Sequence, residues 1–222
     1  MSQPIVPGDA RNPTLQSRRG VLGTISLGAL ALIGSNTTAS AFFSRKSNTP
    51  RVIVNSSTSR GVSTAVDFRE LPAEWVARQG TDLKDYTGFL GSLRLQRLTP
   101  KQVIEAHAKK HGSVWNSLPP RTMWRQMAPT LKVIDRVALE LGQPVDEIVS
   151  AYRSPAYNAT CRGAKRGSYH QVNVAVDVKF TSHPATVAQT ARALRSKGVF
   201  SGGVGRYSGF THIDTRGQNV DW

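Results

Sequence analysis

Asn173-Val-Ala-Val-Asp-Val-Lys-Phe180 is the stretch on which the reading of this chain turns. Its alternation puts Val174, Val176 and Val178 on one face of a strand and Ala175, Asp177 and Lys179 on the other. A carboxylate on the open face of a buried strand needs a partner, either a basic side chain or a metal ion. Two histidines make the second reading concrete: His170 lies just upstream and His212 lies further down the chain. Two imidazoles and one carboxylate are the ligand set of a hydrolytic zinc ion that keeps a fourth position open. Neutral imidazoles with one carboxylate leave net positive charge on such an ion, where three thiolates would quench it.

Working outward, Glu147–Tyr152 reads as a strand that ends at Arg153. A guanidinium there either donates two hydrogen bonds to a carboxylate or an oxyanion, or forms a surface salt bridge. Downstream, Gly202–Tyr207, the tight turn Ser208-Gly209 and Phe210–Thr215 form a hairpin. Its second strand carries Phe210, His212 and Asp214 on one face. Asp214 is the candidate general base, or else a carboxylate that orients an imidazole. Between the strands, Pro184–Lys197 predicts a helix with Val187, Ala191 and Leu194 inward and Gly198 as its stop.

Upstream the pattern is helical from Asp67. Thr99-Pro-Lys-Gln102 is a helix start, with a capping Thr, Pro at the first position and Gln reaching back. Gly112 is its expected stop. His107 and His111 then share one helix face, but no third ligand accompanies them, so both are expected to be structural or exposed. After Pro119-Pro120, the residues Trp124, Met127, Leu131, Ile134, Ala138 and Leu141 mark a core-facing helix. Pro129 kinks that helix or marks its start, and Gly142 closes it. The predicted class is α+β, with N-terminal helices packed on a small, mostly antiparallel sheet and one crossing helix.

The chain has 222 residues and a formal charge of +15. Residues 1–41 are predicted to be a signal peptide and 42–66 a flexible linker. Residues 67–222 are predicted to form the folded domain, with a helical part over 67–146 and a sheet over 147–222. Ser17-Arg-Arg19 precedes an uncharged stretch, and Ala39-Ser-Ala41 supplies a cleavage site, so the mature chain begins at Phe42. Paired arginines followed by Val-Leu favour twin-arginine export over the Sec route, and the periplasm is the expected location. The apolar segment is short and diluted, and no cysteine follows it, so no stable membrane anchor is expected. The positive charge calls for an anionic partner. No nucleic-acid motif accompanies it, so nucleic acid is not the expected one. Cys161 stands alone, which excludes an intrachain disulfide, and is expected to be a buried small residue.

Four blocks in order carry a resemblance. Ala151-Tyr-Arg-Ser-Pro-Ala-Tyr-Asn158, Gly163-Ala164, Ser168-Tyr-His170…Ala175-Val-Asp177 and His212-Ile-Asp214 are similar to the zinc D,D-peptidase superfamily, which shares its fold with the hedgehog signalling domain. The chain looks most like the murein endopeptidase K branch, over roughly residues 80–222. The resemblance implies one Zn2+ held by His170, Asp177 and His212. It assigns Arg153 to the reacting carbonyl or a substrate carboxylate, with Ser168 and Tyr157 as further substrate contacts. It implies hydrolysis of amides in peptidoglycan peptide stems, foremost at cross-links. The alternatives are a D,D- or L,D-carboxypeptidase and a non-catalytic zinc-containing wall-binding module. Loops 80–98 and 111–121 are expected to set how open the cleft is.

Two departures from the family pattern stand out. A glycine between the first two ligands is Asn173 here, a residue that tolerates left-handed backbone. Many relatives carry a glutamate base three residues before the last histidine, where this chain has Gly209. Asp214 is the substitute base, and His183 is the weaker alternative.

Overall fold

A computed structural model describes residues 63–222. The expected leader, its Ala41–Phe42 cleavage site and nearly all of the expected linker lie outside the described residues. Three helices lead, α1 (Ala73–Gln79), α2 (Asp82–Ser92) and α3 (Pro100–His107). A two-stranded hairpin of β1 (Lys110–His111) and β2 (Val114–Trp115) separates them from the long α4 (Trp124–Glu140). Then follow β3 (Glu147–Ser150), α5 (Pro155–Thr160), β4 (Ala175–Lys179), α6 (Pro184–Ser196), β5 (Gly203–Arg206), β6 (Thr211–Asp214) and β7 (Val220–Asp221). The main sheet runs β3-β4-β6-β5-β7 and is antiparallel apart from the β5–β7 pair. The fold is α+β.

Local chemistry sets most boundaries. Thr99 and Gln102 form a full capping box on α3, with Pro100 at its first position. Ser154-Pro155 starts α5 in the same way, the Ser154 hydroxyl accepting from the Tyr157 N–H. That helix went unread in the sequence although its signal is the same. Gly142 and Gly198 take positive φ and end α4 and α6, with Gln143 N–H returning to the Ala138 carbonyl and Val199 N–H to that of Leu194.

Four expectations need correction. α3 stops at His107, so His107 and His111 do not share a helix face. The chain turns away because the Lys109 carbonyl accepts from Asn116 N–H and opens the β1–β2 hairpin. Gly112, at φ 59°, occupies the first position of that two-residue turn and is not a helix cap. Residues 80–98 are mostly α2, not a loop. α4 starts at Trp124, so Pro129 lies inside the helix and does not mark its start.

The core lies between the helices and one face of the sheet. Met127, Leu131, Ile134 and Ala138 of α4 and Val187, Ala191 and Leu194 of α6 pack with Val176, Val178, Val204 and Ile213 of the sheet. Each large side chain so buried contributes roughly 1.5–3 kcal/mol. One α4 residue also ties the sheet in place. The Thr130 hydroxyl donates to the Val174 carbonyl and meets the Thr215 hydroxyl at 2.8 Å, while Thr215 N–H donates to Val174 O. The entry to β4 and the exit of β6 are thereby pinned to one point on α4. The second face of β4 is not open either: Ala175 and Asp177 are as buried as the valines.

His107 is fully buried, its Nε2 3.3 Å from the Tyr86 hydroxyl. Burial pushes its pKa down from 6.5 to about 4. The unfolded chain therefore takes up a proton that the fold refuses. Stability is complete above pH 6.5 and drains away as pH falls toward 4, by on the order of 3 kcal/mol. Denaturant titrations of wild type and His107→Gln across that range should differ in slope by about one proton. Equal slopes would mean that another group carries the acid sensitivity.

Candidate metal centre

The sheet register brings the centre together. β4 and β6 pair so that Asp177 lies directly opposite His212, and Ser150 of β3 flanks Asp177 across an irregular register. His170 arrives from the loop before β4. That loop turns through Asn173 at φ 57°, the left-handed backbone its amide side chain tolerates. The Asn173 Nδ2 also donates to the Met123 carbonyl and so anchors the loop to the start of α4.

The ring of His170 has its tautomer set by a neighbour. Its Nδ1 is 2.7 Å from the Ala151 carbonyl, which can only accept, so Nδ1 carries the proton and Nε2 keeps its lone pair. Nε2 lies 3.3 Å from Asp177 Oδ1. On the other side, His212 Nδ1 is 2.8 Å from the same oxygen, and His212 Nε2 is 2.9 Å from Asp214 Oδ2. The ligand atoms of His170, Asp177 and His212 all fall within 4.8 Å of one another, and all three residues are buried. Each imidazole is thus anchored through one nitrogen and directs the other at a shared point. That donor set fits zinc: two nitrogens, one carboxylate oxygen, and a partner orienting each ligand.

The electrostatics follow from burial and neighbours. Burial lowers the pKa of His170 and holds it neutral, against the pull of Asp177. Burial pushes Asp177 up, but the His170 and His212 imidazoles beside it outweigh that and hold the carboxyl far below its usual range. Burial also works against His212, yet its hydrogen bonds to Asp177 and Asp214 raise its pKa. A second cation completes the balance. Arg153 donates from Nη2 to Asp177 Oδ2 at 2.6 Å and from Nε to the Ser150 hydroxyl at 2.7 Å. Its backbone N–H meets the His170 carbonyl at 3.2 Å, so one residue touches two of the three candidate ligands.

Asn116 fixes the chain on both sides of Arg153. Its Nδ2 donates to the Tyr152 carbonyl and its Oδ1 accepts from Ser154 N–H, both at 2.9 Å. Ser168 sits at the turn before His170, where its hydroxyl accepts weakly from the His170 N–H at 3.4 Å. Tyr157 lies on α5, half-buried, and burial raises the pKa of its hydroxyl. Cys161 is only half-buried at the end of α5, its Sγ 3.4 Å from the Tyr157 carbonyl, and not in the core as expected.

Asp214 does not take the place expected of a base. It is fully buried, one oxygen held by His212 Nε2 and Arg216 and the other by the Arg216 side chain and the N–H groups of Gly203 and Arg216. It stands behind His212, on the side away from Asp177. The alternative reading, a carboxylate that orients an imidazole, is the one the geometry supports. His183 caps α6, its Nδ1 accepting from Ala185 N–H, and makes no hydrogen bond to the centre. Gly209 is exposed in the β5–β6 turn. Among the described residues, Asp177 and Asp214 are the carboxylates hydrogen-bonded to this cluster.

Sequence reading missed Arg216, Tyr169 and Trp222, which surround Asp214 and His212. Arg216 lies over the Tyr169 ring at 3.8 Å, and the Trp222 ring is 5.1 Å from that of His212. Gly203 and Gly205, spaced by two on β5, were the available signal. Glycines at that spacing leave one strand face bare for a large side chain from elsewhere.

His170→Ala and His212→Ala should each abolish tight zinc binding. Asp214→Ala should keep the three ligands but bind zinc roughly 10–100-fold more weakly. Competition with a chromophoric chelator measures all three. Wild-type affinity in Asp214→Ala would remove its orienting role.

A family model described as Peptidase M15 matches residues 96–214, more than half of the chain and every residue of the candidate ligand set. No curated protein and no solved structure matches the chain. Peptidases of the matched family are zinc-dependent, in keeping with the buried His-Asp-His cluster. With the centre's geometry and the family match in agreement, the chain belongs to the peptidase M15 family.

Proposed function

We propose that this protein is a zinc-dependent peptidase that hydrolyses amide bonds in the peptide stems of peptidoglycan, foremost at cross-links, in the periplasm. The observation that carries the reading is the convergence of His170, Asp177 and His212 inside the matched family span, with Arg153 beside them. When bound, zinc supplies Lewis acidity toward an amide carbonyl and toward water. The chain's own residues do the rest. His170 and His212 enter with their ligand nitrogens already aimed, so little reorganisation accompanies binding or reaction. Arg153 holds Asp177 with Nη2 and makes no hydrogen bond through Nη1 among the described residues. That donor is the one proposed to meet a substrate oxygen, where negative charge develops as an amide is attacked. Tyr157 and Ser168, both downstream of Arg153 along the chain, are the proposed further contacts to the stem.

The formal charge of +15 suits an anionic wall polymer and draws it to the protein at low salt. Export through a twin-arginine leader would deliver the protein already folded, and the murein endopeptidase K branch remains the reading that the four sequence blocks favour. One observation favours a second function, a wall-binding module that keeps zinc without turnover. Gly209 stands where many relatives have their glutamate, and Asp214 is engaged behind His212.

The zinc-loaded protein should release new amines from purified cross-linked muropeptides, seen by mass spectrometry, and a chelator should stop it. Zinc retained with no new amine would select the binding module. Arg153→Ala should lower kcat by about 10²–10³-fold while zinc remains bound. Turnover at the wild-type rate would take Arg153 out of the reaction.

A further inference from the structure

We propose that Trp222 is a positioning residue for His212, acting both on the imidazole face and through the Arg216–Asp214 pair behind it. The inference rests on reading the cluster as a zinc centre. Three independent features carry it.

The first is contact. The indole of Trp222 lies 5.1 Å from the His212 ring, tilted by 47°, and 5.3 Å from the Arg216 guanidinium. Arg216 also lies over the Tyr169 ring at 3.8 Å. The guanidinium thus contacts two aromatic rings while it binds both oxygens of Asp214. Asp214 in turn holds His212 Nε2, which leaves Nδ1 as the nitrogen directed at Asp177. Every group in this chain of contacts ends on the orientation of one imidazole.

The second is a built seat. A Cβ on Gly205 would collide with the indole, and a Cβ on Gly203 would collide with the Asp214 carboxylate and Arg216 and press on the indole. Neither glycine has a positive φ, so backbone conformation does not demand them. Their missing side chains are the space that Trp222 and Arg216 fill.

The third is restraint. Trp222 is 44% exposed, yet it is fixed at several points. Its carbonyl accepts from Arg206 N–H at 2.9 Å, and its Nε1 donates to the Tyr207 hydroxyl at 2.9 Å. The preceding Asp221 is gripped by Arg192 and Arg195 of α6, at 2.9 and 2.8 Å. An aromatic side chain that stays half in water gains little from burial, so such anchoring points to what it covers. With the ring in place, Asp214 is fully buried and the Arg216 side chain only 15% exposed, and low dielectric strengthens the hydrogen bond to His212.

The test uses Trp222→Ala, Trp222→Phe and Gly205→Ala in the otherwise intact chain. Gly205→Ala keeps the tryptophan but takes its seat. Zinc affinity by chelator competition, the visible spectrum of the Co2+-loaded protein and the melting temperature of the metal-free protein are read for each. Trp222→Ala and Gly205→Ala should weaken zinc binding by roughly 10–100-fold and change the Co2+ spectrum, while Trp222→Phe retains most of the affinity. Wild-type affinity in Trp222→Ala would overturn the proposal, and so would losses that track melting temperature across the three variants. A wild-type protein that binds no zinc would instead sink the metal reading itself. One that binds zinc and cleaves nothing would leave this inference standing and remove the peptidase.

Discussion

The Asp177 carboxylate, buried between two imidazoles and a guanidinium, is the contact on which the rest of the structure depends. An unpaired carboxylate at that depth would cost several kcal/mol and would protonate instead. Its partners come from three places: Arg153 from the segment between β3 and α5, His170 from the loop before β4, and His212 from β6. None can be moved without exposing the charge of another. The tie between Thr130, Val174 and Thr215 then has a purpose beyond packing. It holds the two strands that carry Asp177 and His212 in one register against α4.

Charge is arranged in layers around this point. Next to Asp177 stand the histidines and Arg153. Behind His212 stand Asp214 and then Arg216, so signs alternate outward from the centre to the surface. The alternation lets a metal ion enter without leaving any buried charge uncompensated. It also explains why Asp214 is a poor proton acceptor in this fold. A carboxylate with both oxygens committed to cations and N–H groups is stabilised in its ionised form and gives up little to a new partner.

Much of this was legible in the chain itself. The alternation of 173–180 announced β4, and a lone Asp among its valines announced a cation. Thr99-Pro100, Gly142 and Gly198 marked helix ends that the structure keeps, because capping is settled by a few neighbouring residues. Where reading failed, tertiary contacts had overridden local signals. Gly112 reads as a helix stop, but the pairing of Lys109 with Asn116 makes it a hairpin turn. Ser154-Pro155 carries the same helix-start signal as Thr99-Pro100, and α5 begins there.

The α+β class came from residue type and local period, and the three candidate ligands from residue type together with the resemblance that the four ordered blocks carry. The role of Asp214 did not. Two residues apart on one strand, Asp214 and His212 share a face in any fold, and both a base and an orienting partner satisfy that spacing. Arg216, Tyr169 and Trp222 decided between them by closing around the carboxylate from three separate segments. Contacts of that kind are set by which surfaces pack together, and no short-range pattern records them.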